Sequence, residues 1–519
     1  MSLSTRFDFD TVPKGRAWSE EIADQIIASN PGVDSFTTAA GISPSGVVHF
    51  GNFRDVVTAH LVREELVKKG KKARLLFSWD NFDRFRKVPS GVPESFAQYI
   101  GMPLSKIPDP YGDMSSYAER FQTSFVEAMK ILGIDIEYKN QTALHESGVY
   151  DSAIFHALSK REEIADILLS FMTEKAMGEK GIDPVAYKEH YYPISVYSRF
   201  TGKDSTKVLE YDGGSTITYV CTETGKTDTV DLAVEHIAKL AWKIDWPMRW
   251  KHEGVVFEPA GHDHASPGGS FDVASVISST IFDRLAPLFV EYKFVGIQGL
   301  GAKMSGSKGN AISPLDLLDI YEPDVLKNLY FKKSPEQSFE LAFNTEIYRQ
   351  YEEYDAEHPE LSSIPFRQMV SFGQIVQWNE EKLMTLLQAL GVSYSAESIS
   401  RRLPLARNWL QKYNPDEAVA LNTQVNTAYV ETMTDEQRER ISKLREALMD
   451  RTDTTVLELE TLVYDIPKQY VTDEKELKLT QRSFFKDVYN LLVGKDAGPR
   501  LGTFLWAVDR ERVLSLLGI

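Results

Sequence analysis

Two short stretches hold side chains suited to handling a polyphosphate. The first, GISPSGVVHFGNF, places Ser43, Pro44, Ser45 and Gly46 in a turn and His49, Phe50, Gly51 and Asn52 at the opening of a helical pattern. A helix start offers unpaired backbone N–H groups and the positive end of the helix dipole, so a polyphosphate can sit there, with His49 donating a further hydrogen bond. Gly51 would let a flat base or ribose approach the main chain closely. The second, GLGAKMSGSKGN, puts Lys303, Ser305 and Lys308 in a loop rich in glycine and serine. Such a loop can bring ammonium charges and hydroxyls onto phosphates as charge builds in a transition state. Each has a plainer reading: a histidine beside a strand is commonly structural, and a solvated basic loop has the same outline.

The elements that must position these residues read as a divided sheet. Residues 35–41, SFTTAAG, form a short buried strand; 47–69 follow as a helix stopped by Gly70; 73–79, ARLLFSW, form a second strand. Strand, helix and strand at this spacing predict a βαβ unit in a parallel sheet, whose ligands bind beyond the carboxyl ends of the strands. The alternation lapses from about 105 to 235, with a helical run near 117–132 and a β-rich, turn-rich section near 193–230. It resumes with a helix near 231–243, a strand near 254–258, a helix near 271–285 and a strand near 292–298. Helical patterns dominate from 311 onward, at 315–321, 367–391, 396–412, 435–449, 454–463 and 480–492. The expected fold is therefore α/β, a Rossmann-type parallel-sheet catalytic domain with a mixed insertion, followed by an all-α C-terminal domain. The segments are 1–105, 106–235 (the insertion), 236–310, a linking segment 311–345 and a helical domain 346–519.

Composition narrows the class. The chain has 519 residues with 58 Lys and Arg against 75 Asp and Glu, a net charge of −17, with 42% hydrophobic and 11% aromatic residues. That is enough apolar material for large cores, and too many residues for one. A fibre, a disulfide scaffold and a disordered tail are excluded. The acidic total argues against indiscriminate nucleic-acid binding while leaving room for a local basic face. One cysteine, Cys221, makes no internal disulfide, and no apolar run is long enough to span a bilayer or act as a signal peptide. A cytoplasmic location and no membrane association are expected.

With ISPSGVVHFGNFRDV, WKIDWPMRW, EPAGHDHASPGGSFD and KMSGSKGN together, the sequence resembles the class I lysyl-tRNA synthetases, over most of 35–330 and more loosely in the helical tail. HFGN stands where the class I enzymes carry their first signature, and KMSGS where they carry their second. Two positions depart from the general pattern: Asn52 replaces the second signature histidine, and Gly306 the second lysine, with Lys308 two positions on. The resemblance implies that ATP and lysine give lysyl-adenylate and pyrophosphate, and that the lysyl group then passes to tRNA(Lys). It implies His49, Gly51, Asn52, Lys303, Met304 and Ser305 around ATP, with Lys308 supplying charge and Mg²⁺ arriving on the nucleotide phosphates. Amino-acid activation needs no protein nucleophile, since the lysine carboxylate attacks. A lysine pocket must satisfy an ammonium at each end, and Gly41, Ser43, Asp80, Trp242 and His264 are the candidates, with Asp83 in reserve. Synthetases for glutamate or arginine, an inactive paralogue and a small nucleotidyltransferase remain as rivals.

Two further groups of residues invite a reading. SRFTGK at 198–203 and CTETGK at 221–226 have the outline of zinc knuckles, yet Ser198, Thr201 and Thr224 keep their hydroxyl protons, so a ribbon-like β element held without zinc is expected. His262 and His264, two apart on an expected strand, have no third ligand nearby in sequence, so no metal site is assigned. In the tail, Arg401, Arg402, Arg407, Trp409 and Arg500 are the basic and aromatic candidates for tRNA contact, and the resemblance assigns this region to anticodon recognition. A monomer is expected.

Overall fold

A computed structural model describes residues 5–179, 181–299, 311–450, 454–471 and 473–519. The described residues divide into two compact units. The first comprises Met1–Gly296, Gly301–Leu318 and Leu326–Leu341; the second comprises Ile297–Leu300, Asp319–Val325 and Ala342–Ile519. The stretch 311–345 is thus shared between them.

The first unit is built on a five-stranded sheet. Its strands in chain order are β1 (Ser35–Ile42), β2 (Lys72–Trp79) and β3 (Glu137–Asn140), and, after the insertion, β9 (Val255–Gly261) and β10 (Leu288–Tyr292). The insertion supplies β4 (Ile194–Val196), β5 (Thr206–Tyr211), β6 (Thr216–Cys221), β7 (Thr227–Asp231) and β8 (Ala238–Leu240). The order across the sheet is β10-β9-β1-β2-β3, and every pairing is parallel. β1 is buried along most of its length, as befits a central strand covered on both faces. Strand order reverses between β1 and β9, and a crevice opens at such a switch point beyond the carboxyl ends of the strands. The Phe50–Lys68 helix leads from β1 to β2, the Trp242–Glu253 helix precedes β9, and the Ser270–Thr280 helix lies between β9 and β10.

Local sequence explains where the elements depart from the expected pattern. The helix expected at 231–243 is a single turn, Leu232–Glu235, ended by His236 in the left-handed region at φ 47°. β8 follows and pairs antiparallel with β4, and the helix begins only at Trp242. The strand expected at 292–298 is two: β10 in the main sheet, and Val295–Gln298 outside it. The helix Trp18–Ser29 and the edge strand β3 are additions with weak sequence patterns.

The second unit is mainly helical. Its core gathers Ile441, Leu444, Leu459, Phe484, Val488 and Leu491. The pattern at 367–391 breaks into Phe366–Ile375 and Glu380–Ala389, because Gln377 and Trp378 take positive φ and Trp378 folds its ring over Gly373. Any Cβ at Gly373 would meet that ring at 2.5 Å. Among the described residues, no helix is long and apolar enough to cross a membrane.

Candidate active site

The start of the Phe50–Lys68 helix is fastened by its own residues. His49 is the N-cap: its Nδ1 accepts from the Gly51 N–H at 3.1 Å, and its own N–H donates to Asn52 Oδ1 at 3.2 Å, a reciprocal capping box. The Asn52 N–H donates to the His49 carbonyl at 2.9 Å, and the Phe50 N–H to the Ile312 carbonyl at 2.9 Å. The first three helical amides are therefore all engaged, which corrects the expectation of unpaired N–H groups waiting for phosphate. What the helix start presents is a side chain. With Nδ1 accepting, the ring proton sits on Nε2, and burial pushes the imidazole below its ordinary value, so His49 is a neutral donor. Gly51 makes room for it: a Cβ there would lie 2.8 Å from His49 Cε1 and 2.9 Å from Nδ1. Gly51 does not itself line the cavity beside His49, whereas Asn52 does.

Lys303, Met304, Ser305 and Lys308 lie outside the described residues. Ile312, close after them in sequence, is held against the His49 cap by the bond just given. The segment beyond it is also tied to this helix. Arg54, 1% exposed, donates to the carbonyls of Tyr330 at 3.1 Å, Lys333 at 3.1 Å and Ser334 at 2.5 Å, and Tyr330 Oη donates to the Phe50 carbonyl at 3.0 Å.

Beside His49, at the carboxyl ends of β1, β2 and β9, a cavity of about 690 Å³ is lined by Gly41, Ser43, His49, Asn52, Asp80, Trp242 and His264, among others. The expected lysine-contacting residues are thus brought together. Gly41 is confined, since a Cβ would sit 3.0 Å from Ser78. Trp242 stacks on Trp246 at 5.1 Å, Trp246 neighbours Trp250 at 4.9 Å, and His264 stands 5.9 Å from Trp242. Among the described residues the Trp242 Nε1 and His264 Nδ1 atoms have no hydrogen-bond partner, and burial lowers the His264 imidazole towards its neutral form. Asp80 is already engaged: Arg249 donates to it at 2.5 Å, Ser78 at 3.1 Å, and Arg249 also pairs with fully buried Asp245. Asp83 pairs with buried Lys239 at 2.5 Å. Sequence reasoning passed over Asp55, Lys239, Trp246, Arg249, Glu258 and Tyr292, which line the same cavity; Asp55, Trp246, Arg249 and Glu258 stood in quoted motifs, while Lys239 and Tyr292 carried no local signal.

Other candidates sort by burial. His262 and His264 lie on a helical turn, His262–Ala265, not on a strand: His262 is exposed and pairs with Glu291, while His264 lines the cavity. Among the described residues no group of three or more His, Cys, Asp and Glu side chains could hold a metal. The two knuckle-like turns close on themselves: the Gly202 N–H donates to the Ser198 carbonyl at 2.7 Å and the Gly225 N–H to the Cys221 carbonyl at 2.8 Å. Cys221 is covered, and hydrogen bonds from Thr224 and then Ser198 pull its thiol down to about 7. One thiol among hydroxyls does not fit structural zinc.

In the helical unit, Arg402 and Trp409 require correction as tRNA contacts. Both have 0% exposure: Arg402 binds Glu322, Asp355 and the Ile364 carbonyl, and Trp409 Nε1 donates to the Phe343 carbonyl at 2.9 Å. A basic and aromatic run on a helix that packs on two sides sends part of its residues inward. Arg401, Arg407 and Arg500 are exposed. Trp409→Phe should accordingly cost the unit about 1–3 kcal/mol, from a lost indole bond and a small void. Chemical denaturation checks this, and the tRNA affinity of the folded variant should not change.

A parallel sheet with a histidine-capped helix and a large cavity at its switch point has the build of a Rossmann-type domain. The comparisons make this specific: residues 16–394 match the family described as tRNA synthetases class I (K), and the chain belongs to that family. It is 36% identical to a lysine–tRNA ligase of Streptomyces coelicolor, over 96% of this chain and 98% of that one. It is 33% identical to lysine–tRNA ligases of Pyrococcus horikoshii, over 96% and 99%, and of Treponema pallidum, over 98% and 99%.

Proposed function

We propose that this chain activates L-lysine with ATP and transfers the lysyl group to tRNA(Lys). The lysine carboxylate attacks the α-phosphorus of ATP, the bond to the β-phosphate oxygen breaks, and pyrophosphate leaves. The terminal ribose hydroxyl of the tRNA then attacks the acyl carbon, and AMP leaves. No protein nucleophile is required, so the chain's contribution is positioning and charge stabilisation. His49 Nε2–H donates to a phosphate oxygen, Asn52 holds the cap that aims it, and Gly51 leaves room for the ring. Lys303, Met304, Ser305 and Lys308 belong to the same nucleotide site by their place in sequence just before Ile312, and Mg²⁺ comes with the phosphates. Gly41, Ser43, Trp242 and His264 receive the amino acid, with Asp80 acting as the partner that orients Arg249. Arg401, Arg407 and Arg500 are the exposed candidates for tRNA in the helical unit.

The observation that most supports this reading is the Phe50–Ile312 bond, which brings the chain just beyond the second signature back to the first. Aminoacylation with purified tRNA(Lys), ATP and each of the twenty amino acids tests it. Lysine should be the one amino acid strongly charged; charging by glutamate or arginine in its place, or by none, would overturn it.

A further inference from the structure

Arg54 is a buried cation with no acid to answer it. Among the described residues its guanidinium donates only to main-chain carbonyls: Tyr330 and Lys333 at 3.1 Å, Ser334 at 2.5 Å and Gln337 at 3.5 Å. The Phe339 ring centre lies 5.2 Å from it. Burial lowers the guanidinium from its usual value to about 10, so the group is still charged near neutral pH. Tyr330 stands in the last turn of the Pro323–Phe331 helix, with Lys333 and Ser334 just after it, so the cation sits where a helix dipole ends negative. Even so, an ion removed from water without a counter-charge is a cost to folding that an apolar side chain would avoid. What the chain gains from it lies in the geometry it fixes.

Tyr330 closes a circuit with Arg54. Its Oη donates to the Phe50 carbonyl at 3.0 Å, while its own carbonyl accepts from Arg54, which follows Phe50 by one helical turn. Its ring has 0% exposure and packs edge-on with Phe53 at 4.7 Å and Phe339 at 5.0 Å. The N–H of Phe50 meanwhile donates to the Ile312 carbonyl. The residue next to His49 is therefore held at both its N–H and its carbonyl. Neither Arg54 nor Tyr330 is among the residues lining the cavity, so any effect on the reaction must pass through what they hold. A donor acts well only when kept within about half an ångström of its working place. We propose that Arg54 and Tyr330 are positioning residues for His49. They lock the first turn of the Phe50–Lys68 helix, so that Nε2–H meets the phosphate as charge develops. This rests on the role given to His49 above and adds to it the residues that aim the ring.

Lysine-dependent exchange of pyrophosphate into ATP, run on the full chain with tRNA(Lys) present, tests this through a cycle of variants. Tyr330→Phe removes one hydroxyl and keeps the packing of the ring. It should lower kcat by about 10- to 30-fold and leave the KM for lysine within about threefold. In His49→Ala protein the same change should cost less than about twofold, because the group it aims is already gone. Arg54→Lys keeps the charge and loses the fork that spans several carbonyls; it should follow the same pattern in both backgrounds, so that poor folding of one variant leaves the other as the test. A loss as large beside His49→Ala as in the wild-type chain would overturn the proposal, because the two residues would then serve the fold or another group. Wild-type kcat in either folded variant would overturn it as well. Full activity of His49→Ala alone would refute the role of His49, and the proposal with it. A wild-type chain without lysine-dependent exchange would refute the lysine reading itself, whatever the variants do.

Discussion

His49→Ala should lower lysine-dependent exchange of pyrophosphate into ATP by about 10²- to 10³-fold, the usual scale for removing one preorganised donor from a developing charge. The ring is tied at Nδ1 to the Gly51 N–H, so Nε2–H is the only proton it can offer a phosphate. Gly51→Ala should come close to the same loss with the histidine still present. A methyl group there falls within 3 Å of the ring, and the ring must leave its place. Because both changes remove one interaction, the double variant should be no slower than the worse single variant by more than about twofold. Steady-state kcat/KM for the three variants checks this, with melting temperatures to confirm folding, since losing the cap alone costs about 1 kcal/mol. Strictly multiplicative losses would show that His49 and Gly51 act separately.

Arg249→Met should destabilise the first unit by about 3–5 kcal/mol, because it strands Asp245 and Asp80 in a wall with almost no solvent. The number reflects unpaired acids left behind more than the worth of the pairs. Burial already pushes the Asp80 carboxyl above its ordinary value in the intact protein, with the Arg249 charge working against that shift. Without Arg249 the raised value rises further. A carboxyl raised in the folded state contributes stability below its unfolded value that is lost as pH rises, so the deficit of Arg249→Met should be largest near pH 7 and shrink towards about pH 4. Denaturant titrations across that range measure it. Adding Asp80→Asn should recover part of the loss, whereas a flat pH profile would place the damage in packing.

Much of the scaffold was legible, because strong local patterns wrote it. A buried run at 35–41, a long helix after it and a second apolar run at 73–79 could hardly form anything but a parallel βαβ unit, and the HFGN turn stands where that unit opens. Other parts depended on partners far along the chain. β3 is only Glu137–Asn140, four residues of polar text made into a strand by pairing with β2. The break at Gln377 and Trp378 follows from one indole folding over Gly373, which periodicity cannot report. Trp409 and Arg402 looked like an RNA face because their spacing was read without the carboxylates and carbonyl that face them. Asp55 stands in ISPSGVVHFGNFRDV and Glu258 opens EPAGHDHASPGGSFD, yet neither stretch marks the two as neighbours. They become a pair only when a strand and a helix, distant in sequence, are laid side by side.

The two turns around Cys221 have a cellular consequence. A ribbon closed by a metal is hostage to the trace-element supply: it must be loaded before it matures, and a chelating host can unmake it. Here backbone amides, two hydroxyls and a single sulfur do the closing. That closure calls on no transition metal, so a shortage of such ions should leave the fold of this module unchanged.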